Sequence, residues 1–341
     1  MLLKRLTEAC GGPGQEDEVR DLIRTEITPL ADQVTTDALG NLIAVKNGTK
    51  AGPKVMIAAH MDEVALMVMS IEKSGMLKFS PIGGIDPRVL VAKAVVIGIN
   101  RVPGVIGSKP IHLQKPDERK KALSIDELYI DIGASKKEEA ERLVSIGELA
   151  YFTTEFTTIG PDRFKAKALD DRVGCAMLID ILKENYQLSL YGVFTVQEEV
   201  GLRGAGTAAY QIQPDLALVL EGTTASDVPE IPEHKHATTV GKGPSLTVMD
   251  SSVIPDPRLV AKLMQLAQKH GIPVQYRRNT AGGTDAGKIQ QSCEGVPVAV
   301  IALPCRYIHS PVAVASQTDY AHAVKLVKVF LRSLEEEGGY K

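Results

Sequence analysis

The apolar positions divide the chain into three parts with different periodicities. Residues 19–27 carry apolar side chains at helical spacing, and residues 54–59 form an uninterrupted apolar run that is typical of a buried strand. Between residues 73 and 163, short β-like runs alternate with glycine and proline turns. After residue 163, apolar strands again alternate with amphipathic helices. The pattern predicts an α/β fold, with a mixed sheet and helices on both faces, plus a small β-rich domain.

In the outer parts of the chain, helices are predicted within residues 1–35, with a break at 11–14, and at residues 175–182, 257–269 and 316–334. Strands are predicted there at residues 41–46, 54–59, 191–196, 215–222, 273–276 and 297–303. The middle part is predicted to contain β-like runs at residues 76–79, 89–99, 105–111 and 128–132 and one charged helix at 135–144. No run reaches the roughly 18 apolar residues of a membrane span, and the first residues lack the apolar core of a signal peptide. We therefore expect a cytoplasmic protein that has no membrane partner.

Chemically active side chains concentrate at the ends of these predicted elements. The carboxyl ends of strands in an open α/β sheet border the crevice where ligands bind, so we expect these side chains to meet at one edge. They are His60, Glu198, Glu199, Glu221 and His309 at strand ends and Asp170 at a helix start. In an extended chain Asp62 points roughly the same way as His60, so it is placed to brace the imidazole or to share its site.

Some of these positions also have an ordinary structural interpretation. Glu198 and Glu199 suit the first turn of a helix, where the macrodipole favours negative charge. Asp170 or Asp171 suits the N-cap of the next helix, although a cap requires only one of them. If the glutamates serve a site, they are expected to do different jobs, because neighbouring residues of an extended chain face opposite ways.

The number of acids expected at this edge favours a metal site. Clustered carboxylates repel one another, and cations relieve that repulsion. A set of imidazoles and carboxylates without thiolates suits zinc, cobalt or manganese better than calcium, and the ligands suffice for two ions that share a bridging aspartate. Paired metals polarise a carbonyl and lower the pKa of water, while a spare carboxylate moves the proton, as in aminopeptidases.

Composition and charge argue against several other functions. The chain has 341 residues, a formal net charge of -3 and no stripe of Lys and Arg, which gives nucleic-acid binding little support. The four cysteines are far apart, which indicates reduced thiols rather than disulfides or a zinc finger. His234 and His236 have metal-pair spacing but lie in a predicted polar loop, which disfavours a metal site there. Residues 282–285 either line the substrate cleft or cap a helix, and the cap is favoured.

Four motifs occur in a fixed order along the chain. They are His60-Met-Asp62, Leu169-Asp-Asp-Arg-Val-Gly174, Gln197-Glu-Glu-Val-Gly201 and Ile308-His-Ser-Pro311. Together, over nearly the whole chain, they resemble the glutamyl aminopeptidase-like family of cocatalytic metallopeptidases, which includes tetrahedral dodecameric aminopeptidases. The resemblance implies a metal-dependent aminopeptidase that removes N-terminal residues from short peptides.

The resemblance also implies roles for individual residues. It makes Asp170 the bridge between two divalent metals, most simply zinc or cobalt, with manganese as a further option. The remaining implied ligands are His60 and Glu221 for one metal and Glu199 and His309 for the other. Many relatives carry Asp at the position of Glu221. The longer side chain of glutamate is therefore expected to affect how many of its oxygens bind the metal and which metal is preferred.

The two remaining residues of the implied site are catalytic. Asp62 orients His60, and Glu198 is the general base. Since Asp62 and Asp170 must meet at one site, the chain between them has to leave the catalytic domain and return. We therefore expect a discontinuous catalytic domain (residues 1–72 and 164–341) and an inserted β-rich domain (73–163).

The inserted domain also bears on assembly. In the family it helps to build the oligomer and narrows access to the site. The resemblance thus implies a homo-oligomer, a tetrahedral dodecamer built from dimers, whose substrates are short peptides.

Two other functions remain open at this level. A metal-independent glycosidase would use Glu198 and a second acid, but such enzymes usually have aromatic sugar platforms, and this chain has no Trp and only 4% aromatic residues. A catalytically inactive scaffold of the same fold is the other alternative, and the presence of all seven site residues argues against it.

Overall fold

The computed structural model describes residues 1–50 and 52–337. In these ranges the α-helices are α1 (Leu2–Glu8), α2 (Asp17–Ile27), α3 (Lys137–Ala140), α4 (Leu169–Leu182), α5 (Arg203–Ile212), α6 (Pro257–Lys269), α7 (Ala286–Gln290) and α8 (Gln317–Glu337). The strands are β1 (Gln33–Thr36), β2 (Leu42–Lys46), β3 (Lys54–His60), β4 (Ala65–Ile71), β5 (Leu77–Ile82), β6 (Ala94–Ile97), β7 (Val102–Ser108), β8 (Leu128–Asp131), β9 (Leu149–Phe152), β10 (Thr157–Ile159), β11 (Arg163–Ala166), β12 (Ser189–Thr195), β13 (Leu216–Thr224), β14 (Ser245–Thr247), β15 (Gln275–Arg277), β16 (Val298–Cys305) and β17 (Ala313–Ser316).

Eight strands form one mixed sheet in the order β1-β2-β12-β3-β13-β16-β14-β15. The central strands β12, β3, β13 and β16 are parallel to one another, whereas β2 and β14 run antiparallel to their neighbours β12 and β16. Parallel strands bring their carboxyl ends to the same edge, and Thr195 of β12 pairs with His60 of β3. The residues just past these two strands therefore lie side by side.

Helices cover both faces of this sheet. Along β3, Ile57 and Ala59 pack into the apolar cluster that contains residues of α1, α2, α4, α6 and α8. The alternate residues Met56 and Ala58 pack into a second cluster, with α5 and α7. This alternation follows from the two-residue repeat of a strand, and burial on both faces explains why β3 is almost entirely apolar. The predicted fold class is confirmed.

The β-rich part closes into a six-stranded barrel in the order β4-β5-β8-β7-β6-β9. Closure comes from the pairing of β4 with β9, in which Leu66 lies opposite Ala150. The barrel has its own apolar core, which includes Val68, Ile106 and Ile130. It therefore buries its apolar side chains separately from the main sheet.

The strand pairing bears on the domain boundaries. The barrel includes β4, which the sequence assigned to the catalytic part because it precedes residue 73. By contrast, β10 lies before residue 164 but pairs with β11, which in turn pairs with β17, outside the barrel. The division into 1–72, 73–163 and 164–341 remains a prediction, and the pairing favours residues 65–152 as the inserted unit.

Two local predictions differ from the structure. The helix expected at 135–144 is only α3, and residues 141–143 continue as an exposed turn that leads to the buried Val144. The first 35 residues are not helical throughout, since a short turn containing Pro29 follows α2 and the chain then enters β1. Within residues 1–50 and 52–337, no helix is long and apolar enough to cross a membrane.

Candidate active site

All seven side chains singled out from the sequence meet at the carboxyl edge of the central strands. Six of them line a single cavity of about 590 Å³. The seventh, Asp62, is fully buried against His60. The six that line the cavity are His60, Asp170, Glu198, Glu199, Glu221 and His309.

Asp170 lies between the two histidines. Its Oδ1 is 3.3 Å from His60 Nε2, and its Oδ2 is 3.3 Å from His309 Nε2. The residue has non-helical backbone angles (φ -83, ψ 109) at the start of α4. A single carboxylate therefore faces each imidazole through a different oxygen.

The deep half of the site consists of His60, Glu221 and Asp171, all of which are buried. His60 Nε2 is 3.2 Å from Glu221 Oε1. On the other side of the ring, Nδ1 lies 3.0 Å from the backbone oxygen of Asp62 and 3.4 Å from its Oδ1. The imidazole is therefore held on the side opposite the cavity, and its Nε2 faces the carboxylates.

The open half of the site consists of His309 and Glu199, which share Asp170 with the deep half. His309 Nε2 is 3.6 Å from Glu199 Oε2, and the His309 side chain is 38% exposed. His309 lies in a loop, has a left-handed backbone (φ 55), and its Nδ1 contacts the backbone oxygen of Gly84 at 2.9 Å. Gly84 follows β5, so the barrel region supplies a support for this histidine.

Asp171 is a site residue whose place in the site the sequence did not reveal. Its Oδ1 accepts the backbone N–H of Gly174 at 3.0 Å, which is the N-cap arrangement considered for one of the two aspartates. Its Oδ2 accepts the backbone N–H of His60 at 3.2 Å. A Cβ on Gly174 would lie 2.2 Å from Asp171 Oδ2, so only glycine fits there. Asp171 thus ties the start of α4 to the end of β3.

The adjacent glutamates lie in different surroundings. Glu198 Oε2 is 3.9 Å from His60 Nε2, whereas Glu199 faces His309. Both backbone N–H groups donate to Asp62, that of Glu198 to Oδ1 and that of Glu199 to Oδ2, each at 3.0 Å. Asp62 therefore fixes the backbone of the two glutamates as well as contacting His60.

The electrostatics of the deep half reflect its crowding by acids. Burial acts to lower the pKa of His60, but the charges of Glu221 and Glu198 and hydrogen bonds to two aspartates outweigh it and raise the pKa well above its ordinary value. Burial raises the pKa of Glu221 to about 8 and raises that of Glu198 well above its usual range. Burial, followed by the charge of Glu221, likewise raises the pKa of Asp171.

In the open half, burial and the nearby charged groups again shift the pKa values in opposite directions. Burial raises the pKa of Glu199 to about 7. Burial acts to lower the pKa of His309, but its hydrogen bond to Asp170 and the charge of Glu199 outweigh this and raise the pKa to about 9. Asp170 is the exception among the acids, because hydrogen bonds from both histidines outweigh its burial and lower its pKa.

These residues fit divalent cations. Two groups each present three ligand atoms within 4.8 Å of one another, namely His60, Asp171 and Glu221, and Asp170, Glu199 and His309. Glu221 Oε2 is buried and has no hydrogen-bond partner, an arrangement that is costly unless a cation or a proton satisfies the oxygen. Nitrogen and carboxylate ligands without sulfur suit zinc, cobalt or manganese.

Two other sequence features have structural explanations. His236 lies in a loop, where its Nε2 contacts the backbone oxygen of Ile231 at 2.9 Å, and neither it nor His234 belongs to a potential ligand group in the described ranges. Asp285 occupies the N-cap position of α7 but makes no cap hydrogen bond, so the favoured explanation does not apply to its side chain. Its Oδ2 instead accepts the hydroxyl of Thr195 at 2.5 Å, while Thr284 lines the cavity.

A buried charge network, which the sequence analysis missed, supports the site from behind. Glu63 Oε1 lies 2.6 Å from Lys167 Nζ and 3.1 Å from Arg172 Nη2. Arg172 Nε also donates to the backbone oxygen of Met61 at 2.8 Å. The available signal was a basic residue, Arg172, directly before the apolar run 173–179 of α4. The network fixes the chain between His60 and the barrel.

Comparison with known proteins identifies the family of this chain. The family model described as M42 glutamyl aminopeptidase matches residues 40–326. The lysyl aminopeptidase of Pyrococcus furiosus is 36% identical, over 98% of this chain and 97% of that protein. The TET aminopeptidase of a Thaumarchaeota archaeon from marine sediment superimposes with a TM-score of 0.95 at 39% identity, covering 99% of this chain and 96% of that one. The Pyrococcus horikoshii TET1 peptidase, which can assemble into a tetrahedron or a large octahedral shell, has a TM-score of 0.86 at 33% identity, with 97% and 98% covered. The chain belongs to the M42 glutamyl aminopeptidase family.

Proposed function

We propose that this metal-dependent aminopeptidase uses two divalent cations to remove N-terminal residues from short peptides. The observation that carries the proposal is the position of Asp170, whose two oxygens each face a different histidine. A carboxylate in this position is suited to bridge two ions. The remaining ligands come from the acids and imidazoles on its two sides, His60 with Glu221 and Glu199 with His309.

The proposed ligands divide between the two halves of the site. His60 and Glu221 would hold one ion, Glu199 and His309 the other, and Asp170 would bridge them. Zinc or cobalt suits this ligand set best, and manganese is the next option. Glu221 Oε2 is buried and has no hydrogen-bond partner, so it is a second oxygen available to the ion in the deep half. An aspartate at this position has a shorter side chain and would hold its oxygens closer to the backbone.

Bound cations would supply Lewis acidity at the scissile carbonyl and lower the pKa of water at the site. Glu198 would accept the proton of the attacking water and then deliver it to the leaving amine. Its burial raises its pKa in the metal-free protein. Asp62 would keep His60 and the backbone of Glu198 in place.

The role of Glu198 is tested by Glu198→Gln, which keeps the shape of the side chain but removes its basicity. We expect kcat to fall by on the order of 10²–10⁴, with metal content unchanged. The measurement is hydrolysis of a panel of aminoacyl chromogenic substrates, with elemental analysis of the same preparations. The wild type, stripped by a chelator and then reloaded with zinc, cobalt or manganese, is the control for metal dependence.

The alternatives give different results in the same assay. Turnover that survives both chelation and Glu198→Gln would refute the proposed mechanism. Metal-independent cleavage of a polysaccharide would instead support a glycosidase, and absence of any peptide hydrolysis in the metal-loaded protein would support a scaffold. The glycosidase is disfavoured because four of the six predicted site residues that line the cavity form pairs of imidazole and carboxylate.

We also propose that the chain forms a homo-oligomer, a tetrahedral dodecamer built from dimers, in which the barrel narrows access to the site. The support is the likeness to TET1, which assembles into closed shells, and the separate core of the barrel. Light scattering or sedimentation at working concentration tests this proposal, and a strictly monomeric protein would refute it. The cytoplasmic location remains a prediction.

A further inference from the structure

The backbone of residues 196–199, here called the catalytic loop, is restrained by side chains from distant parts of the chain. Besides the two N–H bonds to Asp62 described above, the N–H of Val196 donates to Asn41 Oδ1 at 3.0 Å. The N–H of Gln197 donates to Glu16 Oε1 at 3.1 Å. Four successive backbone donors thus each reach a side-chain acceptor.

The bond to Gln197 falls where the loop needs a restraint. Gln197 has a left-handed backbone (φ 56), which is disfavoured for a residue with a side chain. The next residue is Glu198, so a change in the backbone of Gln197 would swing the carboxyl of Glu198 directly. Whatever holds Gln197 in this conformation therefore also sets the position of the proposed base.

Glu16 is an unusual residue to find at this point. It is only 3% exposed, and its Oε1 also accepts the N–H of Gly14 at 2.8 Å. Within the described ranges it forms no ion pair, and burial raises its pKa. Burying a carboxylate without a counter-charge is unfavourable, and stability alone would favour an apolar side chain of similar volume. Unlike an apolar side chain, however, this carboxylate accepts hydrogen bonds from the main-chain N–H groups of Gly14 and Gln197.

We propose that Glu16 is a positioning residue for Glu198, which acts by holding Gln197 in its left-handed conformation. The inference rests on the general-base role proposed above for Glu198. Glu16 does not line the cavity, and its partners are the main-chain donors of Gly14 and Gln197. Its loss is therefore expected to disturb the base while leaving the metal ligands in place.

The expected signature is a selective loss of turnover. Displacement of a catalytic group by about 1 Å can cost on the order of 100-fold in rate. Glu16→Met removes the acceptor at similar volume, so kcat should fall by that order, while KM and metal content stay near the wild-type values. Glu16→Gln keeps a side-chain oxygen in reach, so it should recover activity to within about five-fold of the wild type.

Glu8→Met is the matched control. Glu8 also lies near the start of the chain, and its Oε1 accepts a distant main-chain N–H, that of Phe156, at 3.0 Å. Its other partner is Lys4, at 3.9 Å, and within residues 1–50 and 52–337 it makes no hydrogen bond or ion pair with the catalytic loop. Both Met variants therefore lose one long-range bond to a glutamate, but only Glu16→Met releases Gln197.

The experiment measures kcat, KM, metal content and the thermal midpoint of Glu16→Met, Glu16→Gln and Glu8→Met in the metal-loaded enzyme. Loss of kcat in Glu16→Met alone, with rescue by Glu16→Gln, supports the proposal. Equal loss in both Met variants, or loss of metal in parallel with activity in Glu16→Met, overturns it.

Two further measurements keep these outcomes separable. If Glu16→Met fails to fold, Glu16→Asp replaces it, because the shorter arm withdraws the carboxylate from Gln197 while keeping its charge, and an unchanged kcat in that variant overturns the proposal. Glu198→Gln is assayed alongside. If Glu198→Gln is inactive but Glu16→Met is normal, only the positioning role fails, whereas an active Glu198→Gln removes the general-base role itself.

Discussion

The deep and open halves of the site contain the same kinds of side chain but hold them in different ways. His60 ends a central strand, is fully enclosed, and contacts carboxylates through both ring nitrogens. His309 lies in a partly exposed loop, and its Nδ1 is supported by the backbone oxygen of Gly84. The deep half is thus fixed by the sheet, whereas the open half depends on a contact with the barrel region.

This difference predicts how much each histidine contributes to folding stability. Removing the buried imidazole leaves the neighbouring carboxylates without a counter-charge in surroundings that exclude most water. Removing a partly exposed imidazole allows water to solvate the acids that remain. The same kinds of side chain are therefore expected to have unequal effects on folding stability.

The largest expected effect comes from deleting each histidine in turn. In metal-free protein, His60→Ala should lower the free energy of unfolding by about 3–5 kcal/mol, because it strips buried acids of their partner. His309→Ala should cost less than about 1 kcal/mol, since water screens that pair. Urea unfolding of the two variants measures both values, and metal analysis should show that each binds less metal. Equal destabilisation would remove the distinction between the halves.

An intermediate effect is expected from pH. Because the folded-state pKa of Glu221 is raised to about 8, the metal-free native protein binds a proton more tightly than the unfolded chain, so stability falls as pH rises from about 5 to 8. The pKa of His309 is raised to about 9, so its protonated form stabilises the native state. This contribution is complete below the ordinary pKa of 6.5 and is lost as pH rises through 9. Both terms have the same sign, and water in the cavity screens both groups, so the metal-free protein should lose on the order of 2 kcal/mol between pH 5 and 9 rather than the full value of about 1.4 kcal/mol per pKa unit.

Thermal unfolding across this pH range, with and without zinc, measures that effect. Zinc should reduce the slope, because it replaces the protons. Glu221→Gln should flatten the metal-free profile more than Glu199→Gln, since the pKa of Glu199 is raised only to about 7. A metal-free protein that becomes more stable towards pH 9 would contradict the assignment.

The smallest effect is expected at the support of the open half. A Cβ at Gly84 would lie 3.3 Å from His309 Nδ1, which is tighter than most real contacts, so Gly84→Ala should displace the imidazole slightly. We expect a loss in kcat/KM of roughly ten-fold or less and almost no change in stability. Gly206→Ala, whose Cβ would lie an ordinary 3.7 Å from Lys288 Cβ, is the control. A deep-half metal lost before the open-half metal in Gly84→Ala would contradict the comparison.

The strand ends of the site were predictable because they follow from local pattern. Apolar runs before His60 and Glu198 mark buried parallel strands, whose carboxyl ends have to meet at one edge of the sheet. The same pattern placed His309 just past the strand predicted at 297–303, and in the structure it lies in the loop between β16 and β17. For these residues, sequence order and fold class were sufficient to place them around one cavity.

The remaining features depend on contacts between distant parts of the chain. Glu16 and Gln197 are 181 positions apart, and neither carries a local signal of the bond between them. The barrel was predictable as β-rich, but its closure depends on the pairing of β4 with β9, and short alternating strands do not specify their partner. Asp171 looked like a helix cap, which it is, and only its second oxygen ties it to the site.

The pairing of β4 with β9 also has an evolutionary consequence. Because Leu66 lies opposite Ala150, the chain enters and leaves the barrel at neighbouring points. A module joined in this way can be enlarged, trimmed or exchanged without pulling apart the strands that carry the chemistry. The residues just after β5 would transmit a change in the barrel to the site, because Gly84 supports His309 and Gly83 lies beside Glu199. Within that constraint, the barrel is free to vary while the acids and histidines of the site stay the same.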